Sequence, residues 1–155
     1  RLVGSEMCIR DSFTIMHSYS TPAEKEFAIS IQLMAGGPIA VTDQYCTIGE
    51  GDVAYYTNEE MLALNKDRFV GHPMDDELMS PGSNIWYGQM SNGDYVVGFF
   101  NRGEEEKSFS LNLADIGITQ QMAVRDLWRH ADEGRTSKLE ATVAPHGCKI
   151  MRLSK

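Results

Sequence analysis

The stretch Thr57–Gly71, TNEEMLALNKDRFVG, followed by the strand-rich run Asn84–Lys155, decides how this chain is built. Thr57 and Glu60 stand at capping-box spacing, which predicts a helix with Thr57 as N-cap and Glu60 at N3, buried through Met61, Leu62 and Leu64. Beyond Pro73 the texture changes. Asp75–Ser83 is a polar connection containing Pro81 and Gly82, and the domain boundary is placed within it.

Downstream, short strands alternate with turns. Asn84–Met90 and Tyr95–Asn101 flank Asn92-Gly93, a hairpin signal. Lys107–Leu113 sets Phe109, Leu111 and Leu113 against Ser108, Ser110 and Asn112, the period of two that marks a half-buried strand. Met122–Trp128 and Ala141–Leu153 read as further strands, with His130–Arg135 as a turn around Gly134. Many short strands with frequent turns imply an antiparallel β-sandwich over residues 75–155.

Upstream, Ser20-Thr21-Pro22-Ala23-Glu24 is a helix start, with a hydroxyl N-cap, Pro at N1 and an acid facing the positive dipole end. Apolar residues from Phe27 to Met34 lie nearly all round, so a buried helix is expected from about Pro22 to Met34, broken by Gly36-Gly37. Ile39–Thr42 then reads as a short strand ending in Asp43-Gln44. A buried helix, a glycine break and a strand with a polar end form a unit of an α/β barrel, whose ligands gather at strand C-termini. Residues 1–12, RLVGSEMCIRDS, show neither structural period and read as a non-native, adapter-like segment, leaving 13–74 as the barrel part.

Composition narrows the function. The 155 residues carry a net charge of −8, and that balance lacks the basic patch needed for a phosphate backbone, so nucleic acid is not expected as a partner. The longest apolar run, Tyr95–Phe100, falls far short of the roughly 20 residues that span a bilayer, so no membrane partner is expected. Outside the first twelve residues the cysteines are Cys46 and Cys148, without CxxC spacing; they are two buried thiols or, if their Cα atoms lie within about 7 Å, a disulfide. His17, His72, His130 and His146 lack ligand spacing, so no metal or other cofactor is called for. Asp75-Asp76 and Glu104–Glu106 are adjacent loop acids that point apart into water, unsuited to paired catalysis.

Asn58–Asp67 with Phe69-Val70-Gly71 resembles the motif that ends the barrel in glycoside hydrolase family 27, the α-galactosidases and their relatives. Val96–Arg102 is similar to that family's second sandwich strand, and Val124–Trp128 with Val143–Gly147 to its late strands. The resemblance covers about Pro22 to the C-terminus. It implies a (β/α)8 barrel followed by an antiparallel β-sandwich, a carbohydrate substrate, and hydrolysis of α-linked glycosides with retention. Retention needs two carboxyl groups roughly 5–5.5 Å apart. The resemblance assigns both to barrel strands earlier than Gly36–Gln44, so the chain by itself is expected to be an inactive C-terminal fragment. It also implies a polar residue beside the sugar at the end of the Ile39–Thr42 strand, which falls on Asp43 or Gln44, and a secreted or periplasmic setting.

Two other readings stand beside this one. The first is an α-glucan or isomaltose-releasing hydrolase of the same framework. The second is a non-catalytic carbohydrate-binding sandwich using Trp86, Tyr87 or Trp128 as stacking platforms, although apolar neighbours favour the core for both tryptophans. The helix Pro22–Met34 and the strand Ile39–Thr42 should lack their barrel neighbours and leave an apolar patch, so the whole chain should aggregate while Asn84–Lys155 alone stays monomeric.

Overall fold

A computed structural model describes residues 21–37, 50–74 and 84–155. The segment 1–12, the stretch Ile39–Thr42 expected to be a strand, with Asp43, Gln44 and Cys46, and the connection Asp75–Ser83 lie outside the described residues. Among the described residues three α-helices, α1 (Pro22–Met34), α2 (Glu50–Tyr56) and α3 (Glu59–Lys66), precede eight strands. These are β1 (His72–Pro73), β2 (Ile85–Gln89), β3 (Tyr95–Phe100), β4 (Lys107–Asn112), β5 (Met122–Asp126), β6 (Ala131–Thr136), β7 (Lys138–Val143) and β8 (Cys148–Ser154). A six-stranded antiparallel sheet runs β1-β2-β3-β8-β5-β6, and β4 pairs with β7 as a separate ribbon.

The large sheet is covered on both faces. Val97, Phe99, Met151 and Leu153 meet Phe109, Leu111, Leu139 and Val143 of the ribbon in one core. On the opposite face Trp86, Val96, Phe100 and Ile150 meet Ile29, Leu33 and Met34 of α1 and Met61 and Leu64 of α3 in a second. This two-sided burial explains why β3 reads as a continuous apolar run instead of alternating. Phe99 stacks on Phe109 toward the ribbon, and Phe100 takes the edge of Phe27 toward the helices.

Helix α1 begins as its sequence dictates. Thr21 accepts from the Glu24 amide and the Glu24 carboxylate accepts from Thr21 N–H, a reciprocal cap with Pro22 in the first turn. Residues 28–34 are buried, and truncating Leu33 to Ala would cost about 2–5 kcal/mol. Among the described residues the large hydrophobics left exposed are Val53 and Val70, so α1 itself shows no apolar patch, while the Ile39–Thr42 part of that expectation lies outside the described residues. The sheet supplies the partner surface instead.

The helix-bearing segment and the sandwich interlock through Phe69-Val70-Gly71. Gly71 N–H donates to Met34 C=O at 2.6 Å, fastening this segment to the end of α1. The Phe69 ring fills the space where Gly88 of β2 has no side chain; a Cβ there would lie 2.8 Å from Phe69 Cζ. The next residues, His72 and Pro73, pair with Tyr87 and Trp86 as the outermost strand of the large sheet. Sheet pairing therefore starts on the helical side of the connection read as the boundary.

Two local readings are corrected. The N-cap of α3 is Asn58, whose Oδ1 accepts from Glu60 and Met61 N–H, while the Thr57 hydroxyl donates back to Val53 C=O in α2. His130–Arg135 is not a turn: Ala131–Thr136 pairs with β5 as an edge strand, its side chains almost wholly exposed. An edge strand has no second neighbour to demand apolar residues, so its sequence looks like a loop. Gly134, at φ +86°, sits where the pairing skips Glu133, a bulge that favours glycine.

Candidate functional site

Asp43 and Gln44, the residues nominated to face a sugar, lie outside the described residues. Within the described ones, polar and aromatic side chains converge along the seam between the helices and the end of the large sheet. Strand β5 ends there in a tight turn. Asp126 Oδ1 accepts from the backbone N–H of Trp128 and of Arg129, both at 3.0 Å. That turn sends Leu127 into the helix-facing core and brings the Trp128 ring to α1, where Nε1 donates to Ser30 Oγ at 2.7 Å.

Ser30 is fully buried in the middle of α1, and it is satisfied from two sides. The Cys148 thiol, at the start of β8, donates to the same oxygen at 3.4 Å. Burial pushes the Cys148 thiol up to about 12, so it stays protonated and non-nucleophilic at neutral pH. Glu26, one turn before Ser30, is half-buried. Desolvation raises its carboxyl above the usual range, Arg129 opposes the shift and Asp126 adds to it. Tyr55 of α2 closes the far side, its ring centroid 6.1 Å from that of Trp128.

A second cluster ties α3 to the sheet. Arg125 of β5 forks onto Glu60 and also reaches Asp132 of β6 at 3.0 Å. His130 Nδ1 lies 2.9 Å from Glu60 Oε1. The Arg125 hydrogen bonds hold the Glu60 carboxyl below its ordinary value, against a partial desolvation penalty. Asn58 adds an uncharged link, donating from Nδ2 to Leu127 C=O at 3.1 Å while its oxygen caps α3.

Chemically, these groups clamp the helices to the sheet. Each acid in the second cluster answers a cation, and the described residues place no three His, Cys, Asp or Glu groups where they could hold a metal ion. Glu104–Glu106 are exposed, and His146 occupies the β7–β8 turn at φ +53°. Trp86 is 5% exposed against the helices and Tyr87 packs edge-on to His72 at 4.4 Å, so neither presents an open ring face from the sandwich. The Glu60–Arg125 pairing escaped the sequence reading. Its available signal was an Arg placed between Val124 and Asp126 in an otherwise inward-facing strand end.

Residues 80–153 match the family model of the alpha galactosidase C-terminal beta sandwich domain. The chain is 32% identical to the isomalto-dextranase of Arthrobacter globiformis over 96% of its own length and 24% of that protein's. It is 26% identical to an α-galactosidase of Oryza sativa subsp. japonica, covering 93% of this chain and 35% of that one. It thus spans between a quarter and about a third of the length of these relatives. The structure of the Arthrobacter globiformis T6 isomalto-dextranase complexed with panose superposes with a TM-score of 0.82 at 32% identity, over 90% of this chain and 25% of that one. A GH27 β-L-arabinopyranosidase from Geobacillus stearothermophilus shares the fold, with a TM-score of 0.77 at 24% identity over 87% of this chain and 31% of that one. The sandwich over the described strands, the domain match and these relatives together show that the chain carries an α-galactosidase-like C-terminal β-sandwich of the kind found in glycoside hydrolase family 27.

Proposed function

We propose that the complete protein is a retaining hydrolase of α-linked glycosides, to which this chain contributes the end of the catalytic barrel, residues 13–74, and the sandwich, residues 75–155. The observation that carries this reading is the 32% identity to a dextran-cleaving relative along nearly the whole chain, helices included. The two carboxyl groups of a double displacement are assigned to barrel strands ahead of Gly36–Gln44. Asp43 or Gln44 supplies a polar contact to the sugar. The 155-residue chain alone then hydrolyses nothing, and its described residues serve to hold the last barrel helices on a rigid sheet.

An α-galactoside is the first substrate assigned, by resemblance to the α-galactosidases. The isomalto-dextranase match favours a second reading, an α-glucan from which isomaltose is released, because it pairs the higher identity with almost full coverage of this chain. Assaying the full-length gene product on an aryl α-galactoside and on dextran separates the two, and the anomer first released tests retention. Failure to cleave either substrate would remove the hydrolase reading. Export to the periplasm or exterior goes with the same proposal, and cell fractionation tests it.

The third reading, a sandwich that binds sugar on its own face, loses support at Trp86, which is buried, and at Tyr87, whose ring packs against His72, and is left resting on the half-buried Trp128.

A further inference from the structure

Two clefts meet at the helix–sheet seam, and both are lined by Glu26 and Trp128. The first, about 700 Å3, is bounded by Tyr55 of α2, by Asn58, Glu59 and Glu60 at the start of α3, and by His130. The second, about 280 Å3, continues past Trp128 to Asp126, Arg129 and Lys149. Glu26 and Trp128 form their common wall, a groove lined on both sides of the tryptophan, and the larger cleft lies within the roughly 300–1,000 Å3 typical of small-molecule sites.

The floor of this groove is organised before any ligand arrives. The Ser30 hydrogen bond fixes the Trp128 ring, because turning the indole would forfeit a part-buried bond at 2.7 Å and leave the buried Ser30 with one partner fewer. Tyr55 stands beside it at 57° to the indole plane, with the Lys25 ammonium 5.8 Å from its ring centroid, so the two half-buried rings form a wedge and do not stack on each other. Carboxylates of Glu26 and Glu59 rim the wedge, and Arg129 and His130 supply donors. Desolvation of the Glu26 carboxyl strengthens any hydrogen bond it makes there.

That combination selects its ligand class. A pyranose offers an apolar C–H face that fits an aromatic wedge and a rim of hydroxyls that both donate and accept. An anion is disfavoured by five acids, Glu26, Glu59, Glu60, Glu106 and Asp126, against Arg129, His130 and Lys149, on a chain of net charge −8. A purely apolar ligand would strand the rim groups without partners. We propose that the groove over Trp128 is a binding site for a short neutral oligosaccharide, built by Tyr55 and Trp128 as the ring platform and by Glu26, Glu59 and Arg129 as hydroxyl partners. This deepens the sugar-binding reading at Trp128 and does not rest on the hydrolytic one.

The test titrates the 155-residue chain with isomaltotriose and follows tryptophan emission and binding heat. A saturable response with a Kd of about 1 mM is expected. It should persist in Trp86→Phe, since Trp86 faces the core, and its Kd should rise about tenfold in Tyr55→Ala and in Glu26→Gln. Because Trp128 variants disturb the α1 contact, these two substitutions carry the test, with circular dichroism confirming that each folds. Four results overturn the site: no saturation up to about 50 mM sugar, far above the expected Kd; loss of the signal in Trp86→Phe; an unchanged Kd in both Tyr55→Ala and Glu26→Gln; or tighter binding of spermidine, which would make the groove a cation site.

Discussion

Arg125 grips Glu60 at two points, Nε 2.9 Å from Oε2 and Nη2 2.7 Å from Oε1, so that the first turn of α3 and strand β5 share one ion pair. The pair sits at the surface, where fork geometry gives more specificity than strength. Glu60→Ala should lower the unfolding midpoint slightly, and adding Arg125→Ala to it should lower it by less than Arg125→Ala does alone. Urea unfolding of the four proteins reads this coupling, which 1 M salt, at a Debye length of about 3 Å, should largely erase.

Glu60 and Glu26 respond to pH in opposite directions. The folded value for Glu60 is depressed, chiefly by Arg125, so its contribution is present above the unfolded carboxylate range and is lost as pH falls through the lower folded value. The folded value for Glu26 is raised, chiefly by burial, so its contribution is present in acid and is lost as pH rises through that raised value. Glu60→Gln should therefore be less stable than the parent at pH 7 and close to it in acid. Glu26→Gln should be at least as stable as the parent at pH 7. Denaturant melts at both pH values check the two signs.

Phe69 and Gly88 act as knob and hole between the helical segment and β2. Phe69→Ala removes a side chain buried to 3% exposure and should destabilise the chain by about 3–5 kcal/mol. Gly88→Ala places a methyl group against the Phe69 ring and the Val70 carbonyl, and should cost about 1–3 kcal/mol through overpacking. In the double variant Phe69→Ala with Gly88→Ala, the two losses should sum to less than their total, because the new methyl enters the vacated space.

The sandwich excised as residues 84–155 should not remain a well-behaved monomer. Removing α1 and α3 uncovers Trp86, Val96, Phe100, Leu127 and Ile150, a contiguous apolar face on the large sheet. Sedimentation is expected to show association, or dye binding to show a loosened core, whereas a segment starting at Thr21 retains the covering helices. A compact monomer from residues 84–155 would show that the ribbon-side core suffices.

Cys148 should resist alkylation in the folded chain. Its thiol is held protonated by burial and bonded to Ser30, so iodoacetamide at pH 8 should modify it only after denaturant is added. Peptide mapping before and after urea reads this directly.

Local signals carried much of the fold. Thr21-Pro22 with Glu24 fixed the start of α1, Gly36 at φ +71° marked its end, and Asn92-Gly93 placed the β2–β3 turn, with Gly93 at φ +92°. The alternation in Lys107–Asn112 announced which side of β4 is buried. What stayed illegible depends on distant partners. Asn58 outcompeted Thr57 as N-cap because its amide also reaches Leu127 C=O, 69 residues away. Strand β6 carries no inward apolar set, since its role is to pair with β5 and to present Asp132 to Arg125. The seam groove joins Glu26, Tyr55 and Trp128 from three separate stretches, so no local motif could assemble it.

The outermost strand, His72–Pro73, has a consequence for chimeras. Its pairing with β2 means that the first antiparallel turn of the large sheet straddles the polar connection, and Phe69 is already seated in the hole at Gly88. Recombination or cloning that cuts within Asp75–Ser83 would leave a donor sheet without its border strand and with an empty socket. Exchange is better tolerated upstream of Asn58, where α3, its cap and the border strand travel as one cassette.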